Sequence, residues 1–85
     1  MTSCRYVIST NHGLHAANAM SLSRAASDYQ CKITLESAKG VADCKNVLSL
    51  MSLGAKQGES LILTADGPDE KLAMGYLSGI LRTIL

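Results

Sequence analysis

The apolar residues of this chain switch repeatedly between a period of two and a period near 3.6, and that switching dictates the order of its elements. From Cys4 to Ser9, the residues Cys4, Tyr6 and Ile8 share one face while Arg5, Val7 and Ser9 share the other, which predicts a strand. Asn11-His12-Gly13 breaks that pattern. Ala19, Leu22, Ala26 and Tyr29 then recur at three and four residues, with Ala16 and Ala25 beside them, and predict an amphipathic helix from about Ala16 to Asp28. Its stripe is mostly alanine, so another element can approach closely.

Cys31 to Glu36 alternates again, with Cys31, Ile33 and Leu35 opposite Lys32, Thr34 and Glu36, and predicts a second strand. Ser37-Ala38-Lys39-Gly40 supplies a turn, so Val41-Ala42-Asp43 is expected to fold back as a hairpin partner. Val47, Leu50 and Met51 give one face of a short helix from about Asn46 to Leu53, closed by Gly54, with Leu48 off that face. The run beginning at Gly58 sets Leu61, Leu63 and Ala65 against Ser60, Ile62 and Thr64, a fourth strand. After the turn Asp66-Gly67-Pro68-Asp69, which can also cap a helix, Ala73, Leu77, Ile80 and Ile84 recur at helical spacing with Tyr76 beside them. The order is β-α-β-β-α-β-α. It fits an α+β sandwich: a four-stranded, mainly antiparallel sheet with the helices on one face.

With 85 residues the chain has room for one core, and no linker, repeat or low-complexity segment divides it, so residues 1–85 are expected to form one domain. Surface scaling gives about 4,900 Å² folded against roughly 13,000 Å² extended, enough burial to fold without staples. Leu, Ile and Val supply 20 residues, which argues against disorder. A net charge of +1, no basic block and only three aromatics, all Tyr, leave no footprint for nucleic acid. Cys4, Cys31 and Cys44 are odd in number and lack Cys-x-x-Cys spacing, which fits reduced thiols better than a disulfide framework or a zinc site. The N-terminus has no signal-peptide core and no segment approaches a membrane span, so a soluble, cytoplasmic protein is expected.

Chemistry concentrates in Asn11-His12-Gly13-Leu14-His15-Ala16-Ala17, where the broken segment becomes the first helix. A helix start presents unpaired backbone N–H groups and the positive end of the macrodipole, a setting that favours an anion. A neutral imidazole there can accept a phosphoryl group, or it can serve only as a cap or solvated loop residue. His12 reads as a solvated turn residue, and two histidines are too few ligands for a metal. Cys31 and Cys44 read as buried small hydrophobes and Cys4 as the more reactive thiol. Asp69 and Glu70 fit a helix first turn, while Lys45 and Lys56 read as solvated or partner-facing.

Gly13-Leu14-His15-Ala16, the helix carrying Ala19, Leu22, Ala26 and Tyr29, the segment Lys45-Asn46-Val47-Leu48-Ser49-Leu50-Met51-Ser52-Leu53-Gly54, and Gly67-Pro68-Asp69-Glu70 together resemble the histidine phosphocarrier (HPr) family of the bacterial phosphotransferase system. The resemblance runs over nearly the whole chain. It implies an open-faced β-sandwich and a phosphohistidine at His15, charged by enzyme I from phosphoenolpyruvate and discharged to IIA-type proteins of sugar transporters. Such a protein is a carrier in a relay more than an independent enzyme, and no cofactor is implied.

Two departures from the family pattern bear on function. The motif continues His-Ala-Arg-Pro, whereas this chain reads His15-Ala16-Ala17-Asn18, so the active-site cation is missing, while Asn18 in the proline place is expected to matter less, since proline in the first turn mainly preorganises the helix. A guanidinium binds phosphate oxygens through paired hydrogen bonds that alanine cannot make, which leaves charge stabilisation to the backbone N–H groups of Ala16 and Ala17 and predicts slower transfer. Asn46 stands where many Gram-positive members carry a serine modified by a regulatory kinase, so that control is expected to be absent unless Ser49 or Ser52 substitutes, and Asn46 reads as an N-cap. The resemblance also places the second helix beside His15. Ala16, Ala17, Met20, Leu48 and Met51 are then candidates for an apolar, partner-binding rim, with Met51 open to a core role instead.

The carrier reading competes with that of an HPr-like binding or regulatory module that has lost transfer. A start at Met1 and an apolar helix reaching Leu85 are expected of a whole protein rather than a piece of a larger phosphotransferase, and a rim for transient partners predicts a monomer.

Overall fold

The computed structural model describes residues 1–85 and has the expected element order: β1 (Thr2–Val7), α1 (Ala16–Ala26), β2 (Lys32–Ser37), β3 (Gly40–Asp43), α2 (Val47–Ser52), β4 (Ser60–Asp66) and α3 (Glu70–Ile84). The strands lie in the order β1-β4-β2-β3, and every neighbouring pair is antiparallel. β4 is thus inserted between β1 and β2, which run parallel to one another, and α1 makes the crossover between them.

Register follows from alternation. Cys4, Leu63, Leu35 and Ala42 stand in one row across all four strands and face the helices. The neighbouring row, Arg5, Ile62, Glu36 and Val41, faces the open side of the sheet. The helices cover the first face: α3 packs on β1 and β4, α1 packs on α2 and α3, and α2 reaches β3. Ala19, Leu22, Leu50, Leu77 and Leu81 are fully buried between the layers, and the alanine stripe of α1 faces inward, with Ala19 and Ala26 fully buried. The folded surface is 4741 Å², near the value expected from chain length.

Element ends differ by one or two residues for local reasons. β1 starts and stops two residues early, because the main-chain N–H groups of Ser9 and Thr10 leave the sheet and donate to the Leu85 main-chain oxygen at 2.7 and 2.9 Å. α1 ends at Ala26, and Asp28 and Tyr29 continue it as a tighter turn, donating to the Ala25 and Ala26 carbonyls. Asn46 caps α2 as expected: its Oδ1 accepts the Ser49 main-chain N–H at 3.2 Å. Gly54 closes that helix with φ +56°, a left-handed conformation that side-chain-bearing residues rarely adopt.

Asp69 departs from the expected cap. It stands at the N-cap position of α3, yet its carboxylate accepts the main-chain N–H groups of Gln30 and Cys31 at 2.8 and 2.9 Å, tying the α3 entry to the start of β2. These bonds hold its carboxyl below the usual carboxylate range. Glu70 takes over the local role, its Oε1 accepting the Gly67 main-chain N–H at 3.2 Å.

Candidate functional site

His15 occupies the N-cap of α1 with extended backbone (φ −107°, ψ 178°), and its side chain is exposed. The cap is made by the imidazole itself: the Ala17 main-chain N–H donates to His15 Nδ1 at 3.2 Å. An imidazole nitrogen accepts only when it carries a lone pair, so Nδ1 is the basic nitrogen and the ring proton of the neutral form sits on Nε2. Nδ1 is therefore held against the Ala17 N–H at the opening of the helix.

The loop before it is braced from two sides. Gly13 has φ +63°, and a side chain there would run into the Ala55 carbonyl oxygen. The Leu14 main-chain N–H donates to that same oxygen at 3.0 Å, which docks the loop on the segment following α2. From the other side, Asn18 Nδ2 donates to the Gly13 carbonyl at 2.8 Å. Ala19 makes the first intrahelical bond, to the His15 carbonyl, and the main-chain N–H groups of Ala16 and Asn18 have no partner within the chain. Three helix-opening N–H groups thus converge on one end, two of them unpaired.

A hollow of about 290 Å³ lies beside His15, lined by Ala17, Asn18, Ser21 and Ile84, and none of these four residues brings a charge to it. A larger groove between α1 and α3, about 690 Å³, shares Ser21 and Ile84 with it. Sequence reasoning missed that groove, since it is floored by Gly75 and Gly79 of α3, residues without an apolar signal.

The other singled-out residues fall as follows. Ala16, Ala17 and Met20 are exposed on α1, and Leu48 and Met51 are exposed on the adjoining α2. Leu48 is 77% exposed, the position its helical phase requires. Met51, open between core and surface in sequence, is 41% exposed, because Leu50 and Leu53 set the inward direction of α2 and leave Met51 on its flank. His12 is exposed, as a polar turn residue should be, and its ring also meets the His15 ring edge-on with centroids 6.0 Å apart, a contact that spacing alone did not reveal. Lys45 is not free: its ammonium donates to the Tyr29 carbonyl at 2.7 Å. Lys56 is exposed.

All three cysteines are free thiols. Burial pushes the Cys44 thiol up to about 12 and raises that of Cys31 as well, which makes both poor nucleophiles. Cys4, expected to be the reactive one, is half-buried on the helix-facing side of β1, and desolvation raises its thiol too. No group of three or more His, Cys, Asp and Glu side chains is brought together to hold a metal ion, and no helix is long and apolar enough to cross a membrane.

Comparison with known proteins bears on the family and the fold. The family model described as the HPr component phosphorylation site of the phosphotransferase system matches residues 2–83. Phosphocarrier protein HPr of Mycoplasma pneumoniae is 30% identical over 83 residues, covering 96% of this chain and 94% of that protein. Its counterpart in Haemophilus influenzae is 31% identical over 77 residues, covering 91% of each. Among solved structures, HPr-C-His from Thermoanaerobacter tengcongensis superimposes with a TM-score of 0.90 at 30% identity, covering 98% of this chain and 93% of that one.

Proposed function

The chain belongs to the histidine phosphocarrier (HPr) family of the phosphotransferase system, and from that premise we propose that it accepts a phosphoryl group on Nδ1 of His15 and passes it on. The donor is enzyme I charged by phosphoenolpyruvate, and the acceptor is a IIA-type protein. The observation that carries this reading is the hydrogen bond from the Ala17 main-chain N–H to Nδ1, which leaves the lone pair of that nitrogen at the helix opening.

The step follows from the geometry. As the Ala17 N–H releases it, the Nδ1 lone pair attacks phosphorus, the N–P bond forms as the bond to the donor breaks, and the electron pair of that bond stays with the donor. Nε2 keeps its proton. The Ala17 N–H, released from Nδ1, turns to a phosphoryl oxygen, joined by the unpaired N–H of Ala16. Phosphoryl transfer depends on positioning and charge stabilisation, and here the helix end supplies both without a cation, since alanine stands at position 17. The second transfer reverses the sequence, with the acceptor's nucleophile attacking the same phosphorus.

Partner docking falls to the exposed apolar residues of α1 and α2: Ala16, Met20, Leu48 and Met51. Non-polar contact of this kind suits brief encounters with several proteins, flexible methionines above all. Asn46 offers no hydroxyl to a kinase and is engaged as a cap, so regulation by phosphorylation at this position is absent. A carrier of this kind acts in the cytoplasm.

The test incubates the protein with phosphoenolpyruvate, magnesium and enzyme I from the same organism, then adds a IIA protein. Gain of one phosphoryl group followed by its loss to the acceptor supports the relay. No gain, in a mixture where an ordinary family member is charged, leaves a binding module that has lost transfer.

A further inference from the structure

We propose that Asn18 is part of the phosphoryl site, supplying a third main-chain N–H donor to the phosphoryl group and, through its side chain, positioning the loop that carries His15. The inference rests on the phosphohistidine reading above and deepens it. Where the family motif has proline, which has no N–H, this chain has a residue whose main-chain N–H is present and unpaired in the first turn of α1. With Ala16 and Ala17 it makes three successive donors at one helix opening, in the same chain that lacks the arginine. The donor is added where the cation is lost.

The side chain supplies the second observation. Asn18 is only 6% exposed, it lines the hollow beside His15, and its Oδ1 has no hydrogen-bond partner at all. Asparagine is a weak helix former, and an orphaned buried acceptor adds a further cost. A residue that is unfavourable on both counts is held for its other half: Nδ2 donates to the Gly13 carbonyl at 2.8 Å and joins the first turn of α1 to the loop two residues ahead of the nucleophile. Proline and alanine cannot make that bond. The side chain therefore fixes where Nδ1 stands, and the main chain of the same residue meets the charge that Nδ1 receives.

Charging with phosphoramidate, a small phosphoryl donor that needs no protein partner, tests this separately from the relay. In the ¹⁵N-labelled protein, charging His15 is expected to move the Asn18 amide proton downfield at least as far as that of Ala17. Asn18→Ala keeps the N–H and removes the tether, so the amide shift at position 18 persists while kcat for transfer from enzyme I falls about tenfold with KM unchanged. Asn18→Pro removes both and transfers more slowly still. Failure of phosphoramidate to charge His15, or charging that leaves the Asn18 amide where it was, overturns the donor role. Wild-type kcat in a folded Asn18→Ala protein overturns the positioning role. A protein charged by phosphoramidate but not by enzyme I contradicts the relay alone.

Discussion

The main-chain N–H of Ala17 donates to Nδ1 of His15 across 3.2 Å, so Ala17 reaches the His15 ring through its backbone rather than its side chain. The methyl group of Ala17 borders a hollow to which Ala17, Asn18, Ser21 and Ile84 bring no charged side chain that could pair with a dianionic phosphoryl group. Ala17→Arg is expected to raise the rate of phosphoryl transfer from enzyme I about tenfold or more, worth about 1.4 kcal/mol of transition-state stabilisation. Stopped-flow or quenched-flow transfer rates decide it; an unchanged rate contradicts the view that the missing cation limits transfer.

Leu48 is 77% exposed on a short helix whose inward residue is Leu50, with buried Leu53 at its C-cap. Leu48→Asp should leave folding stability within about 0.5 kcal/mol of wild type, since it touches no core. The same change should raise KM for enzyme I about tenfold while the phosphohistidine, once formed, keeps its hydrolysis rate. Equal KM values would place the partner surface elsewhere.

Asn46 Oδ1 accepts the Ser49 N–H at the start of α2. Asn46→Ala removes that cap and is expected to cost about 1 kcal/mol, a fall in Tm of about 4–8 °C for a domain of this size. Asn46→Ser keeps an oxygen that can cap and should stay within about half of that loss. Thermal unfolding by circular dichroism measures both.

Asp69 carries a pH signature. Its folded carboxyl is depressed by the Gln30 and Cys31 main-chain N–H groups, and Glu70 is depressed by its hydrogen bond to the Met1 ammonium. A depressed acid stabilises the fold above its unfolded value, about 3.9 for aspartate and 4.3 for glutamate, and that stabilisation is lost as pH falls through the lower folded value. Asp69→Ala should therefore lower Tm at pH 7, with the gap to wild type narrowing as pH drops below about 4. A gap constant from pH 7 to pH 2 would contradict the assignment.

The element order was readable in the apolar spacing because strands and helices here bury one face each: Ile33 and Leu35 of β2 and Leu61, Leu63 and Ala65 of β4, all buried, are the period-two pattern itself. Strand neighbours were not readable: inserting β4 between β1 and β2 depends on contacts far apart in sequence. The same limit hid Asp69, whose carboxylate looked like a local cap and instead bonds residues 38 and 39 positions away. At the site, His15 stood out by its place before a helix, while its choice of Nδ1, the edge-on contact with His12 and the Asn18 tether to Gly13 are matters of side-chain direction that no spacing encodes.

The central claim is that Nδ1 of His15 carries the phosphoryl group. Protein labelled with ¹⁵N in its histidines, charged by enzyme I and phosphoenolpyruvate, should show ¹⁵N–³¹P coupling at Nδ1 of His15, a proton retained on Nε2, and no coupling in His15→Ala. A phosphoryl group on Nε2, on His12 or on any residue still charged in His15→Ala would contradict it.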